Sequence, residues 1–242
     1  MGVGGDQTIG FRYFMSLLSG LCRGPINELV EIQAGEESAW RGSVGDDSPQ
    51  QINAPNLFGG EKKEGGIQGP FRVFMGQRDQ VLPGASGTLP ALKDSIGTGQ
   101  VSEFRGVVTL WFDGLVAALN PYLKEWRFRV RRTTAGWWNN DPWYAEKAVI
   151  ELAGGAIKAA NGAHIIYEAC TDPLWGRGLS RSMMNDASLR AAADTLYDEG
   201  FGLCIAWYRK EDIETFIQKV CDLVGGTLYT CLLYTSPSPR DS

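Results

Sequence analysis

The stretch from Asn161 to Thr230 constrains the fold most, because its apolar residues switch between helical and strand periods within one short span. Asn161 is placed to cap a helix whose apolar face includes Ile166, Tyr167 and Cys170. The loop Leu174-Trp175-Gly176-Arg177-Gly178 ends it. A second helix carries Leu189, Ala192, Ala193, Leu196 and Tyr197, the i, i+3, i+4, i+7, i+8 stripe of a one-faced helix. Asn185 is its N-cap and Gly200 its C-cap. Phe201, Leu203, Ile205 and Trp207 then alternate with Gly202, Cys204 and Ala206, which predicts a strand. A third helix bears Ile213, Phe216, Ile217, Val220, Cys221 and Val224, stops at Gly225-Gly226, and leads into a strand from Thr227-Leu228-Tyr229. Helix, helix, strand, helix, strand makes an α+β unit.

The chain ahead of it reads as β-rich. Phe11–Cys22 fits a helical stripe through Phe14, Leu17, Leu18 and Leu21, but Gly20 and Gly24-Pro25 favour an extended segment. Leu29–Gln33 and Ser38–Arg41 form a hairpin around Ala34-Gly35-Glu36-Glu37. From Gly45 to Gly99, Gly and Pro with only short apolar runs predict mostly loops. Arg105–Phe112 and Trp126–Arg132 are strands, with a turn of helix between them at Leu115–Asn120, ended by Pro121. Residues before Gln7 read as a loose arm. The expected organisation is α+β overall: opening strands over 1–68, a β-rich insertion over 69–145, and the α+β unit over 146–230.

Composition narrows the function class. With 242 residues, 43% hydrophobic and 21% charged, the chain can bury the cores of two compact units. Eight Trp and 11% aromatic residues suit a protein that assembles with others. A net charge of −5 argues against nucleic-acid specificity. No apolar run of ~18 residues predicts a membrane span, and Phe11–Cys22 lacks the features of a signal peptide. Cys22, Cys170, Cys204 and Cys221 lie scattered among apolar neighbours and read as buried free thiols, with no CxxC pair for zinc.

Candidate sites are few. Trp126-Arg127-Phe128-Arg129-Val130-Arg131-Arg132 alternates apolar and basic, so one face carries Arg127, Arg129 and Arg131. From Arg105 to Arg132, six basic residues stand against two acidic ones. Two readings stand for this face: guanidinium forks that meet carboxylates of a neighbouring subunit, or a solvated face with local ion pairs. Contact with DNA is a third and weaker one. Trp137, Trp138 and Trp143 cluster with Tyr144 around Asn139-Asn140-Asp141-Pro142, as either a ring platform for sugars or a partner, or a hydrophobic clasp. Trp175 and Arg177 join these as interface candidates.

Gly59-Gly60-Glu61-Lys62-Lys63-Glu64-Gly65-Gly66 lacks the Gly-Lys-Ser/Thr ending of a phosphate loop and reads as a mobile loop. His164, the only histidine, reads as structural. Gly178-Leu179-Ser180-Arg181-Ser182 misses the last glycine of a nucleophile elbow. The pairs Asp46-Asp47 and Glu211-Asp212 lack the apolar pocket that tunes a catalytic acid. The expectation is no enzyme and no cofactor or metal.

One resemblance organises these pieces. AHIIYEACTDPLWGRGLSRS and DTLYDEGFGLCIAW resemble the hub region of the lambda-type siphophage tail tip attachment and host-specificity protein. CRGPINELVEIQAGEESAWRG, LFGGEKKEGGIQGPFRVFMG, FRGVVTLWFDGL, NPYLKEWRFRVRRT and DPWYAEKAVIEL resemble further blocks of that family, in its order. The resemblance implies a virion protein made in the bacterial host cytoplasm. It would form a homotrimer that closes the distal tail tube, contacts other distal tail proteins, and supports a following region that reads the host receptor. A glycan-binding module or a cell-wall hydrolase fragment, the latter requiring two carboxylates across a groove, is the rival class. CLLYTSPSPRD, Cys231–Asp241, resembles a translated sequencing adapter, so 231–242 is expected to stand outside the fold.

Overall fold

The computed structural model describes residues 10–61, 63–82, 100, 102–119, 122–208 and 210–229. The expected loose arm, most of the second half of the Gly/Pro-rich stretch and the adapter-like tail lie outside these. The chain divides into two units, Met1–Gly136 and Trp137–Ser242. Strands in antiparallel sheets dominate the first, and the helices fall in the second, so the chain is α+β.

The first unit holds β1 (Arg12–Arg23), β2 (Glu28–Ala34), β3 (Glu37–Val44), β4 (Gln50–Ala54), β5 (Ile67–Phe74), β6 (Val107–Ala118) and β7 (Trp126–Arg131). They form two sheets, β1-β6-β5-β4 and β3-β2-β7. β1 is extended, as its glycines predict, and the β2–β3 hairpin turns at Gly35-Glu36. Both sheets line one core: Leu29 and Ile32 of β2 pack with Ile52, Phe71, Leu110 and Phe112, all fully buried. Burying each such side chain contributes about 1.5–3 kcal/mol. Edge-to-face ring pairs, Trp40–Phe71 at 5.2 Å and Phe112–Trp126 at 5.1 Å, join residues of the two sheets.

Two expectations fail here. The stretch 45–99 holds β4 and β5, and β5 lies inside its sheet between β4 and β6. The predicted helical turn at Leu115–Asn120 is instead the end of β6, which runs through Ala118. The reason lies in cross-strand packing. Gly69, inside the stretch read as loops, and Gly114 sit where β5 and β6 approach closely. A Cβ on Gly69 would stand 2.3 Å from the Asp113 carbonyl oxygen, and one on Gly114 2.2 Å from that of Gln68. β1 pairs with β6 from Arg12↔Ala118 to Arg23↔Val107, and β2 with β7, so strands from either side of residue 69 share both sheets.

The second unit begins with a hairpin, β8 (Val149–Leu152) and β9 (Ile157–Asn161), followed by α1 (Gly162–Thr171), α2 (Asp186–Asp198), β10 (Gly202–Leu203) and α3 (Ile213–Val224). Its sheet runs β10-β9-β8. The helix starts follow from their caps. Asn161, Asn185 and Asp212 accept hydrogen bonds from the backbone N–H of Ala163, Ser188 and Thr215. Gly225 ends α3 in a left-handed conformation, and Gly200 sits just past Glu199, the C-cap of α2.

The predicted strand Phe201–Trp207 shrinks to Gly202–Leu203, and Thr227–Tyr229 is not a strand. The ladder to β9 breaks after Leu203↔Ala160. Trp207 instead stacks on Phe216 of α3, with ring centres 4.9 Å apart and planes 16° from parallel. Alternation alone does not supply a neighbouring strand.

Asn161 joins three elements. Its Oδ1 caps α1, while Nδ2 donates to the Lys147 carbonyl at 3.1 Å and to the Ala193 carbonyl of α2 at 2.8 Å, and the residue is fully buried. Asn161→Ala should cost about 2–4 kcal/mol, summing a lost cap and two weakened buried acceptors. Asn161→Asp keeps the cap but loses both donors, so it should also destabilise the unit in urea unfolding. An Asp variant as stable as the parent would show that the cap alone matters.

Candidate functional site

A groove of about 420 Å³ opens in the second unit. The C-terminal half of α1 lines it with Glu168 and Thr171, followed by Asp172. The segment Trp137–Asp141 lines it from one part of the chain and Leu179–Arg181 from another. Arg181 Nη1 donates to Asp141 Oδ2 at 2.7 Å, with Nη2 on the Asp141 carbonyl, so the two segments are tied together. Asp172 is 2% exposed, and its Oδ1 accepts from the N–H groups of Leu174 and Trp175 at 2.8 and 3.0 Å. That turn is why the chain leaves α1 here.

Behind the groove lies an aromatic stack. Trp143 stacks on Tyr167 of α1 at 4.3 Å and 6°, and Trp137 lies 6.3 Å from the same ring. Trp143 Nε1 donates to Asp186 Oδ1 at 2.6 Å, and Arg190 Nε donates to the other oxygen at 2.6 Å. Those two bonds, Trp143's first, hold the Asp186 carboxyl below its usual range. Arg190 also lies over the rings of Tyr144 and Trp143. His164 is buried 4.8 Å from Trp143, and its Nε2 donates to the Tyr144 carbonyl at 2.7 Å. Nδ1 is buried without a hydrogen bond. Burial pushes the His164 pKa down; the Tyr144 carbonyl opposes this, Arg190 adds to it, and Glu146 opposes it.

The predicted site residues separate. Trp137 and Trp143 are 2% and 5% exposed and belong to the core of their own unit, whereas Trp138 is 39% exposed at the groove. A platform of three rings does not form. Trp175 is half-buried beside Trp207, at 5.9 Å, and Arg177 pairs with Glu214 of α3 at 3.3 Å.

In the first unit, Arg129 and Arg131 of β7 reach Glu31 and Glu28 of β2, each at 2.7 Å. Arg127 reaches Glu125 at 3.2 Å and Glu36 at 3.6 Å. Glu31 is 1% exposed and central. Arg41 Nε donates to its Oε1 at 2.9 Å, and the Arg129 guanidinium meets Oε2 as an ion pair without hydrogen-bond alignment. Burial works to raise the Glu31 pKa. Hydrogen bonds from Ser38, Arg41 and Gln33, with the Arg129 charge, outweigh it and leave the carboxyl below its usual range. Arg132 lies past the end of β7, and its charge partly offsets the rise that burial imposes on the Cys22 thiol.

Asn139, Glu168, Asp172 and Arg181 were not singled out from the sequence. One signal was present: His164 and Glu168 stand at i, i+4 on α1, and Asp172 follows four residues later at its C-cap, so polar groups recur along one side of that segment. Asn139 has no periodic signature. Among the described residues, no helix is long and apolar enough to cross a membrane. No protein-family model matches the chain, and no curated protein does.

His164 generates a pH prediction. Its folded pKa lies below the unfolded value near ~6.5, so its contribution to stability is complete above that pH and is lost as pH falls. Urea midpoints followed by tryptophan fluorescence should drop from about pH 7.5 to about pH 5. His164→Gln should flatten that drop; an equal drop in the variant would assign it to other groups.

Proposed function

We propose that this chain is a structural phage virion protein, the hub part of a lambda-type siphophage tail tip that closes the distal tail tube. It works as a homotrimer, contacts other distal tail proteins and supports a host-recognition region. It is made in the bacterial host cytoplasm and ends in the virion, and its role is adhesive and mechanical with no reaction catalysed. The ordered blocks from CRGPINELVEIQAGEESAWRG to DTLYDEGFGLCIAW support this reading.

The observation that carries it is the edge of the larger sheet. β1 spans 12 residues and pairs with β6 on one side; among the described residues no strand covers the other. Protein edges are usually blunted by Lys, Pro or short length. This one has neither Lys nor Pro, although it begins at Arg12 and its register with β6 shifts at Tyr13/Phe14 and at Gly20/Cys22, and it exposes Phe14 at 70%, with Phe11 beside it. A strand of that length left open suits a chain whose edge is covered on assembly.

The basic face of β7 fits this reading in a restricted way. Its guanidinium groups already meet carboxylates of the same unit, so a neighbour would share those charges rather than neutralise bare ones.

Sedimentation velocity tests the proposal. The full chain should form a trimer, and the double variant Phe11→Lys, Phe14→Lys should shift toward monomer with its circular dichroism and melting temperature unchanged. A chain that stays monomeric up to its solubility limit, and does not bind other distal tail proteins in pull-downs, would sink it.

A further inference from the structure

We propose that neighbouring copies of this chain are set in register by opposite charges at one end of the larger sheet, Arg23 and Arg105 of one copy facing Asp46 and Asp47 of the next. This contact rests on the trimeric reading and supplies the orientation that a ring of identical chains needs.

The guanidinium groups of β7 meet carboxylates of their own unit. Arg23 and Arg105 do not. Both are exposed, and among the described residues neither has a carboxylate within ion-pair distance. Arg105 Nε donates to the Gln80 carbonyl at 3.3 Å. Asp46 and Asp47 are the reverse case: both are exposed, and no described Lys or Arg lies within that distance of them. The Ser48 N–H donates to Asp46 Oδ1 at 2.9 Å and shapes the turn that carries them.

Sheet register puts both pairs at one level. Arg23 ends β1 opposite Val107, the first residue of β6. Phe74 ends β5 opposite Thr109, and Gln50 starts β4 opposite Phe71. The Gly24 N–H donates to the Gly106 carbonyl at 2.9 Å, which brings Arg105 beside the end of β1. The order β1-β6-β5-β4 then separates the patches, with the arginines toward the β1 edge and residues 45–49 leading into the β4 edge. Three inter-strand steps of about 4.8 Å lie between those edges. A closed ring joins unlike surfaces of successive copies. Opposite charges on opposite edges at the same level suit such a contact, whereas a two-fold contact through β1 would leave Asp46 and Asp47 outside it.

The arginine side is held rigid before any neighbour arrives. Gln80 is buried; its Oε1 accepts from the Gly76 N–H at 2.7 Å, and its Nε2 faces the carbonyls of Glu103, Phe104 and Val107 at 3.1, 3.3 and 3.4 Å. The Val107 N–H closes the turn on the Phe104 carbonyl at 3.0 Å. Phe104 is left-handed at φ 45°, a conformation that bulky residues rarely adopt and that surrounding contacts must enforce. Arg105 therefore stands on a fixed turn between the exposed side chains of Phe104 and Val107, so apolar contact accompanies the charge. Arg78 and Asp79 add one charge of each sign to the adjoining loop, and Glu103 is turned to the Leu82 N–H, so arginines outnumber acids there. Solvated ion pairs add little binding energy. Their part is to select which edge meets which.

Sedimentation equilibrium of the full chain at low salt tests the contact. The pair Arg23→Asp, Arg105→Asp and the pair Asp46→Arg, Asp47→Arg should each raise the trimer dissociation constant about tenfold or more, because each sets like charges together. Arg23→Asp alone, whose side chain makes no hydrogen bond among the described residues, should raise it several-fold. The quadruple variant restores opposite charges with their positions exchanged and should return close to the parent. Circular dichroism checks that each variant is folded. A trimeric parent whose charge variants associate equally well, or a quadruple variant no tighter than the doubles, would overturn the charge contact and leave the trimer standing. A parent that stays monomeric would overturn both.

Discussion

The buried amide of Asn161 is the interaction on which the second unit depends. Its oxygen starts α1, and its nitrogen holds two backbone carbonyls, one before β8 and one in α2. A side chain that only capped the helix would leave those carbonyls facing a dry interior, which costs more than a cap is worth. Because α1 carries Glu168, Thr171 and the approach to Asp172, the groove inherits its geometry from this one residue. The aromatic stack of Trp143 on Tyr167 then fixes the same helix from another direction.

The first unit depends on a different kind of constraint. Its strands are far apart in sequence, and β1 reaches β6 across about ninety residues, so local propensity explains little of its order. What holds the register is burial on one side and charge on the other. Phe71 and Phe112 are fully enclosed, while Arg41 and Arg129 come from neighbouring strands to one buried carboxylate, Glu31. Glu31 stays ionised because hydrogen bonds and an opposite charge outweigh its desolvation. Burying a charge without those partners would be costly.

This arrangement bears on how the surface of the protein is used. Counting arginines along β7 suggests a bare cationic strip, yet each guanidinium of Arg127, Arg129 and Arg131 lies within ion-pair distance of a carboxylate of its own unit. Such pairs add little stability when solvated, but they remove much of the field that would attract an anionic partner. Exposed apolar side chains lie elsewhere: Phe14 on the outer strand β1 in one unit, and Trp138 at the rim of the groove in the other.

Much of the local structure was legible in the residues. The three helices of the second unit, the caps at Asn161 and Asn185, the stop at Gly225 and the β2–β3 hairpin follow from period and from short side chains that satisfy helix ends, while the cap at Asp212 came only with the structure. Those signals act over a few residues, and neighbouring residues carry them whole. The sequence alone did not determine β5, where Gly69 lies in a stretch read as loops until Gly114 is set against it, nor the loss of the Phe201–Trp207 strand, which lacked a ladder partner. The groove belongs with these. Asn139, Asp172 and Arg181 stand far apart in the chain, and only the packing of α1 against its neighbours decides that Trp138 stays open while Trp137 and Trp143 are buried.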